Sequence, residues 1–246
     1  MYEIKRQGKG TTRKLDPVSR QISSVPIIAS VVSDENMPDS YAWLSEGGRR
    51  MLLSHRTSVN IRPEYSNIIG HMCYAASKLW NVCNYERRRY KELELEKYPD
   101  WYYQKKAHKG DLWYRQLPSQ TAQEICKQLD KAWKSFYALK KTGGIKAPNP
   151  PRFKQDNIPI TYMQMGIRHE KGSDQLRLSL SKDLKSYMEE TYGIHEKFLY
   201  LENKIFRDMD RIKQLQIYPP ENGTCDLIVI YEIEEPGQLS QSGHYL

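Results

Sequence analysis

The chain has 246 residues, 39% of them hydrophobic and 28% charged, enough apolar material for one or two small cores and too little for a large enzyme of several domains. Lys and Arg number 38 against 30 Asp and Glu, a formal charge of +8, which favours a polyanionic partner over an acidic or neutral one. The four cysteines stand far apart with no C-x-x-C pair and the six histidines form no metal-spaced cluster, so no zinc site is expected and the thiols read as small hydrophobes in a reducing cytoplasm. Neither a secretory segment nor a run of about eighteen apolar residues is present. The expectation is therefore a cytoplasmic, nucleoid-associated protein without membrane contact.

Residues 1–53 mix Gly8, Gly10, Pro17, Pro26 and Pro38 with scattered charges and no sustained periodicity, the pattern of a flexible extension. From Ser54 to Arg62, Thr57, Val59 and Ile61 alternate as on a half-buried strand, and Pro63 can open a helix. Tyr65, Ile69, Met72, Ala76, Leu79, Cys83 and Tyr90 then recur on one helical face to about Tyr98. The end of this helix carries Arg87, Arg88 and Arg89, charges suited equally to a solvated face and to phosphates. Pro99 breaks it, and an aromatic and basic stretch containing Tyr102 and Tyr103 follows.

A second helix is expected from near Leu117 to Lys141, burying Ala122, Ile125, Leu129, Ala132 and Phe136. Its opposite face lines up Gln120, Gln123, Lys127, Lys131 and Lys134. Gly143 and Gly144 stop the helix, and APNPPRFK reads as an extended, proline-stiffened connector. Beyond Asn157 the pattern turns to strands, with a short helix at Leu184 to Tyr192 and a hairpin turn at Asn222-Gly223. The fold class is α+β: the lone early strand needs partners, so it joins the later antiparallel sheet and leaves the helices as an insertion into a β-barrel-like domain.

In this order, TSVNIRP, ASKLWNVCNYERRRY, LPSQTAQEICKQLDKAWKSFY, PPRFK and LIVIYEIE resemble the N-terminal two-thirds of TnpB proteins, transposon-encoded RNA-guided DNA endonucleases similar to the ancestors of type V CRISPR effectors. The resemblance runs from about Ser54 to Leu246. It implies an antiparallel β-barrel wedge domain from 54–63 and 146–236, a helical recognition lobe over 64–145, and a linker at 237–246 toward a RuvC-like nuclease domain. The implied partners are a guide RNA and double-stranded target DNA, with sequence read by base pairing and the protein gripping backbones and a short transposon-adjacent motif.

By the same resemblance Gln123 faces that motif, since a glutamine amide can pair bidentately with adenine. Ser119 and Gln120 lie one turn earlier; the family can use a lysine near Ser119, and its absence implies a different preferred motif. Gln164 and a tyrosine at Tyr102 or Tyr103 correspond to the remaining motif-facing positions. Lys127, Lys131, Lys134, Arg152 and Lys154, with Arg87 and Arg88 next, are the candidates for phosphate contacts. Asn81 reads as a structural amide fixing a backbone group and Trp80 as core. The family's D-x-G strand, later carboxylates and zinc-binding cysteines have no counterpart here, so no catalytic residue and no cofactor are expected in this chain, and Mg²⁺ would enter only with a RuvC domain. That domain would come as a separate polypeptide in trans, or be missing through truncation. Two alternatives stand beside this reading: a stand-alone RNA-guided DNA-binding, repressor-like protein, and an unguided basic nucleic-acid-binding protein.

Overall fold

The computed structural model describes residues 50–143 and 146–234. Strand β1 (Arg50–Asn60) begins four residues before the expected start and leads into helix α1 (Pro63–Arg88), whose first residue is the proline. The alternation that marks β1 reappears as its burial pattern, ending in the buried Val59. The greater part of the expected extension, residues 1–49, and the expected linker at 237–246 lie outside the described residues.

Helix α1 stops ten residues before the periodicity predicts. KELELEK, at 91–97, offers Leu93 and Leu95 but no apolar face at helical spacing, and without packing even good helix formers do not hold a helix. The segment folds back instead through Glu94 at φ 52° and sets Tyr98 edge-on against Tyr90, Trp133 and Tyr137. The following aromatic and basic stretch is helical: α2 (Trp101–Ala107) is capped by Asp100, whose carboxylate accepts from the Tyr103 amide at 2.8 Å, and α3 (Leu112–Arg115) precedes α4 (Ser119–Thr142). Helix α4 ends at Gly143 with φ 66°, a left-handed cap that glycine adopts without steric cost.

The connector leads to β2 (Ile160–Met163), a single 3-10 turn at Gln164–Gly166, then β3 (Ile167–His169), β4 (Gln175–Ser179), α5 (Lys182–Tyr192), β5 (Phe198–Glu202), β6 (Arg211–Ile217) and β7 (Thr224–Glu234). Antiparallel pairing gives one sheet in the order β1-β7-β6-β2 and a second in the order β3-β4-β5. The early strand does join the late ones, pairing with β7 from Arg50↔Glu234 to Asn60↔Thr224. Asn222 and Gly223, at φ 50° and 77°, form the tight turn before β7.

The expected barrel is corrected: among the described residues the strands form two open sheets. The ladder is broken twice. At Gln164–Gly166 the chain turns between β2 and β3 instead of running on as one strand. Between β1 and β5 a side chain replaces main-chain pairing, the Asn203 amide donating to Thr57 Oγ1 at 3.0 Å and to the Ser58 carbonyl at 3.1 Å. The helices pack against the sheets. Ile69, Met72 and Leu79 of α1 and Ile125 and Leu129 of α4 belong to the same buried cluster as Tyr162, Leu215, Leu227 and Leu178 of the sheets. Each such side chain withdrawn from water contributes about 1.5–3 kcal/mol, which ties helices and sheets into one core.

Candidate nucleic-acid interface

The proline-rich connector is held against α1 by its backbone, and this sets where its side chains go. Asn81 binds Lys154 at both main-chain groups, donating to the carbonyl at 2.8 Å and accepting from the amide at 2.7 Å. One turn on, Asn84 donates to the Pro151 carbonyl at 2.9 Å while its own Oδ1 accepts from the Trp133 indole at 3.0 Å. The Trp80 indole donates to the Arg152 carbonyl at 3.1 Å and Arg88 to the Pro151 carbonyl at 2.6 Å. With the backbone turned inward and satisfied, Arg152, Phe153 and Lys154 are exposed. Asn81 thus has the backbone-fixing role expected of it, and Trp80 is buried as expected.

Cations and rings alternate along this face. The Arg88 guanidinium lies 4.9 Å from the centre of the Phe153 ring and the Lys154 ammonium 4.7 Å from that of Trp80. Farther along α1, Lys78 sits over Tyr74 at 4.8 Å and Arg89 over Tyr85 at 5.4 Å. Positions 74, 78, 81, 85 and 88 share one side of the helix at three- and four-residue steps, and Arg89 follows just past its end. A strip results on which phosphates can be neutralised and bases stacked. Tyr74, Lys78 and Tyr85 were not singled out from the sequence, although their spacing with Asn81 and Arg88 is legible there.

Arg87 corrects the expectation of a phosphate contact. It is 2% exposed, donating from Nε to the Gln104 side chain at 2.8 Å and from NH1 to Asp130 Oδ1 at 2.9 Å. Gln104 in turn donates to Glu86 at 2.7 Å and to the Cys83 carbonyl at 2.8 Å. His108 stands between Glu86 and Asp111, at 3.2 and 2.6 Å. Burial alone would lower its pKa, but the two carboxylates outweigh it and push the imidazole up to about 9. For Asp130, too, burial acts against ionisation, and Lys134 and Arg87 reverse it and hold the carboxyl below its ordinary range.

The lysines of α4 differ in how free they are. Lys131 is exposed. Lys134 meets Asp130 at 2.9 Å and Lys127 meets Glu124 at 2.6 Å, so each charge is partly answered within the helix. Lys127 and Lys105 both approach Trp101, at 5.1 and 4.6 Å, and Lys105 also covers the exposed Tyr102. This is a second cation and ring patch, built by α2 against α4.

The residues assigned to the DNA motif are brought together only in part. Ser119 is exposed at the start of α4, and the half-buried Gln120 donates to the sulfur of Met165 at 3.2 Å, so the turn carrying the exposed Gln164 lies beside this helix end. Met165 itself is 81% exposed and was not anticipated. Gln123 is half-buried and lies near the Tyr114 phenol, a group that burial pushes above its ordinary range. Among the described residues no hydrogen bond or ring contact joins Tyr103 to this cluster; it stays with the α2 patch.

Among the described residues no three His, Cys, Asp or Glu side chains converge on a point where a metal ion could sit, and no helix is long and apolar enough to cross a membrane. No family model matches the chain, and no curated protein matches it.

Proposed function

We propose that the chain is the guide-RNA-binding and DNA-recognition part of a TnpB-like RNA-guided DNA endonuclease, holding the RNA scaffold and the RNA-DNA heteroduplex and reading a transposon-adjacent motif. Cleavage is supplied by a RuvC-like domain on a separate or missing polypeptide, and Mg²⁺ belongs to that domain. The observation that carries this reading is the clamped connector. Four side chains of α1 are spent on fixing the backbone of Pro151–Lys154, which leaves Arg152, Phe153 and Lys154 displayed outward beside Arg88. A surface loop needs no such fixing for stability alone; a preorganised cation, ring, cation triplet suits a nucleic-acid backbone. The helix α4 that would face the heteroduplex and the turn bearing Gln164 meet at one end, the arrangement that a motif-reading cleft would use.

The test is to purify the chain with its flanking DNA coexpressed and to sequence the RNA and identify the polypeptides that accompany it. A discrete structured RNA together with a RuvC-bearing polypeptide is the expected result. RNA without that polypeptide would favour the stand-alone RNA-guided binder, and heterogeneous nucleic acid would replace both with unguided binding.

A further inference from the structure

The sheet β3-β4-β5 buries Ile167, Leu176, Leu178, Leu199 and Leu201 on one face. Its other face carries a row of side chains that the fold does not use. Cross-strand register sets Arg168 opposite Arg177 and Arg177 opposite Tyr200. Like charges directly opposite on a sheet are destabilising, yet the nearby acids do not relieve this pair. Asp174 is held by both ends of the Arg207 guanidinium at 2.8 and 2.6 Å, and Glu202 accepts from Gln175 at 2.7 Å. Glu170 stands on the rim, and among the described residues neither Arg168 nor Arg177 forms an ion pair.

Arg177 is oriented from below by Phe198, its guanidinium 4.6 Å from the ring centre, and Phe198 meets Tyr200 edge-on at 6.4 Å. Arg168, Arg177 and Tyr200, with Glu170, Ser173 and Gln175, border an open cavity of about 460 Å³. Two adjacent guanidiniums are what a phosphate requires for paired, charge-assisted hydrogen bonds, and half-buried rings beside them offer a stacking surface for a base. The hollow is polar and half open to solvent, unlike the enclosed, largely apolar pockets that take small ligands. It suits a chain that passes across it.

We propose that the outward face of β3-β4-β5 is a second nucleic-acid-binding surface, where Arg168 and Arg177 jointly hold one backbone phosphodiester of a single-stranded segment and Tyr200 stacks the adjoining base. This rests on the nucleic-acid-binding reading above, but it shares no residue with α1 or the connector. Its probe is a labelled oligouridine titrated against the full chain over a range of salt concentrations, with Arg168→Gln/Arg177→Gln compared with wild type. The double variant binds about tenfold more weakly, and its plot of log affinity against log salt is shallower by about 0.7, the value for one single-strand phosphate.

Thermal unfolding without nucleic acid provides the fold control. Removing the facing charges leaves the melting temperature equal or higher, and inorganic phosphate raises the wild-type melting temperature above that in chloride of equal ionic strength without doing so for the double variant. Unchanged oligouridine affinity and salt slope in a folded double variant would overturn the surface while leaving the connector reading intact. A phosphate-dependent rise in melting temperature with no loss of oligouridine affinity would overturn the strand and leave a site for free phosphate. A wild type that binds no oligonucleotide would overturn this surface and the proposed function together.

Discussion

Asp130 is the residue on which three helices depend. Its two oxygens answer Arg87 from α1 and Lys134 from its own helix α4, and Arg87 passes the contact on to Gln104 of α2. Removing one partner of a buried pair leaves a charge without compensation, so Asp130→Ala should cost about 3–5 kcal/mol, read as a shift in urea midpoint; a loss under about 1 kcal/mol would mean that water reaches Arg87. His108 adds a pH dependence. Its folded pKa of about 9 lies above the ordinary 6.5, so the folded chain binds the proton more tightly than the unfolded one. The stabilisation is complete below pH 6.5 and is lost as pH climbs through 9. Across that window the wild type should lose roughly 1–2 kcal/mol more than His108→Ala, allowing for partial solvent screening. Parallel stability curves for the two proteins would remove His108 from the account.

At the scale of elements, the decisive pairing is α1 with the connector. Asn81→Ala deletes both bonds to Lys154 while removing no charge. It should lower stability by about 1–2 kcal/mol and weaken RNA binding with the salt dependence unchanged, because the same cations remain but are no longer held in place. Arg152→Ala/Lys154→Ala should instead flatten that dependence by about 1.4 if each side chain neutralises one single-strand phosphate. Unchanged RNA affinity in a folded Asn81→Ala variant would mean that the clamp has no ordering role. Much of this was legible in the sequence. The strand before α1 needed partners and could find them only later in the chain, and the α4 stripe followed from spacing alone. Arg87 was misread because three consecutive arginines resemble a solvated run, yet it lies four residues after Cys83 and seven after Trp80, on the buried stripe. Helix α2 was not expected, although Asp100, which caps it, is a residue type suited to that position. The nearness of Gln123 to Tyr114 depends on a contact between α3 and α4 that no local pattern encodes.

At the scale of the molecule, the two sheets are held as a pair by unlike seams, one covalent and one resting on a side chain. The strand order runs from β1 to β2 in one sheet, and the chain itself carries it through the turn at Gln164–Gly166 into β3, β4 and β5. The return from β5 to β1 rests on Asn203, which also caps the turn Lys204–Asp208 by accepting from the Ile205 amide at 3.1 Å. Asn203→Ala therefore removes the cap and both bonds to β1, at a cost of about 1–3 kcal/mol. Hydrogen exchange should locate the effect. Amides of β1 and of residues 204–208 should exchange faster while those of α1 and α4, buried in the common core, keep their protection. Uniform acceleration would instead show that the seam stabilises the whole molecule as a single cooperative unit. If the connector and the outward face of β3-β4-β5 grip one RNA, a loosened seam also lowers the effective concentration of the second grip once the first is made. The variant should then lose more affinity for a long RNA that reaches both surfaces than for a short oligouridine that occupies one, and equal losses for the two would separate the seam from binding.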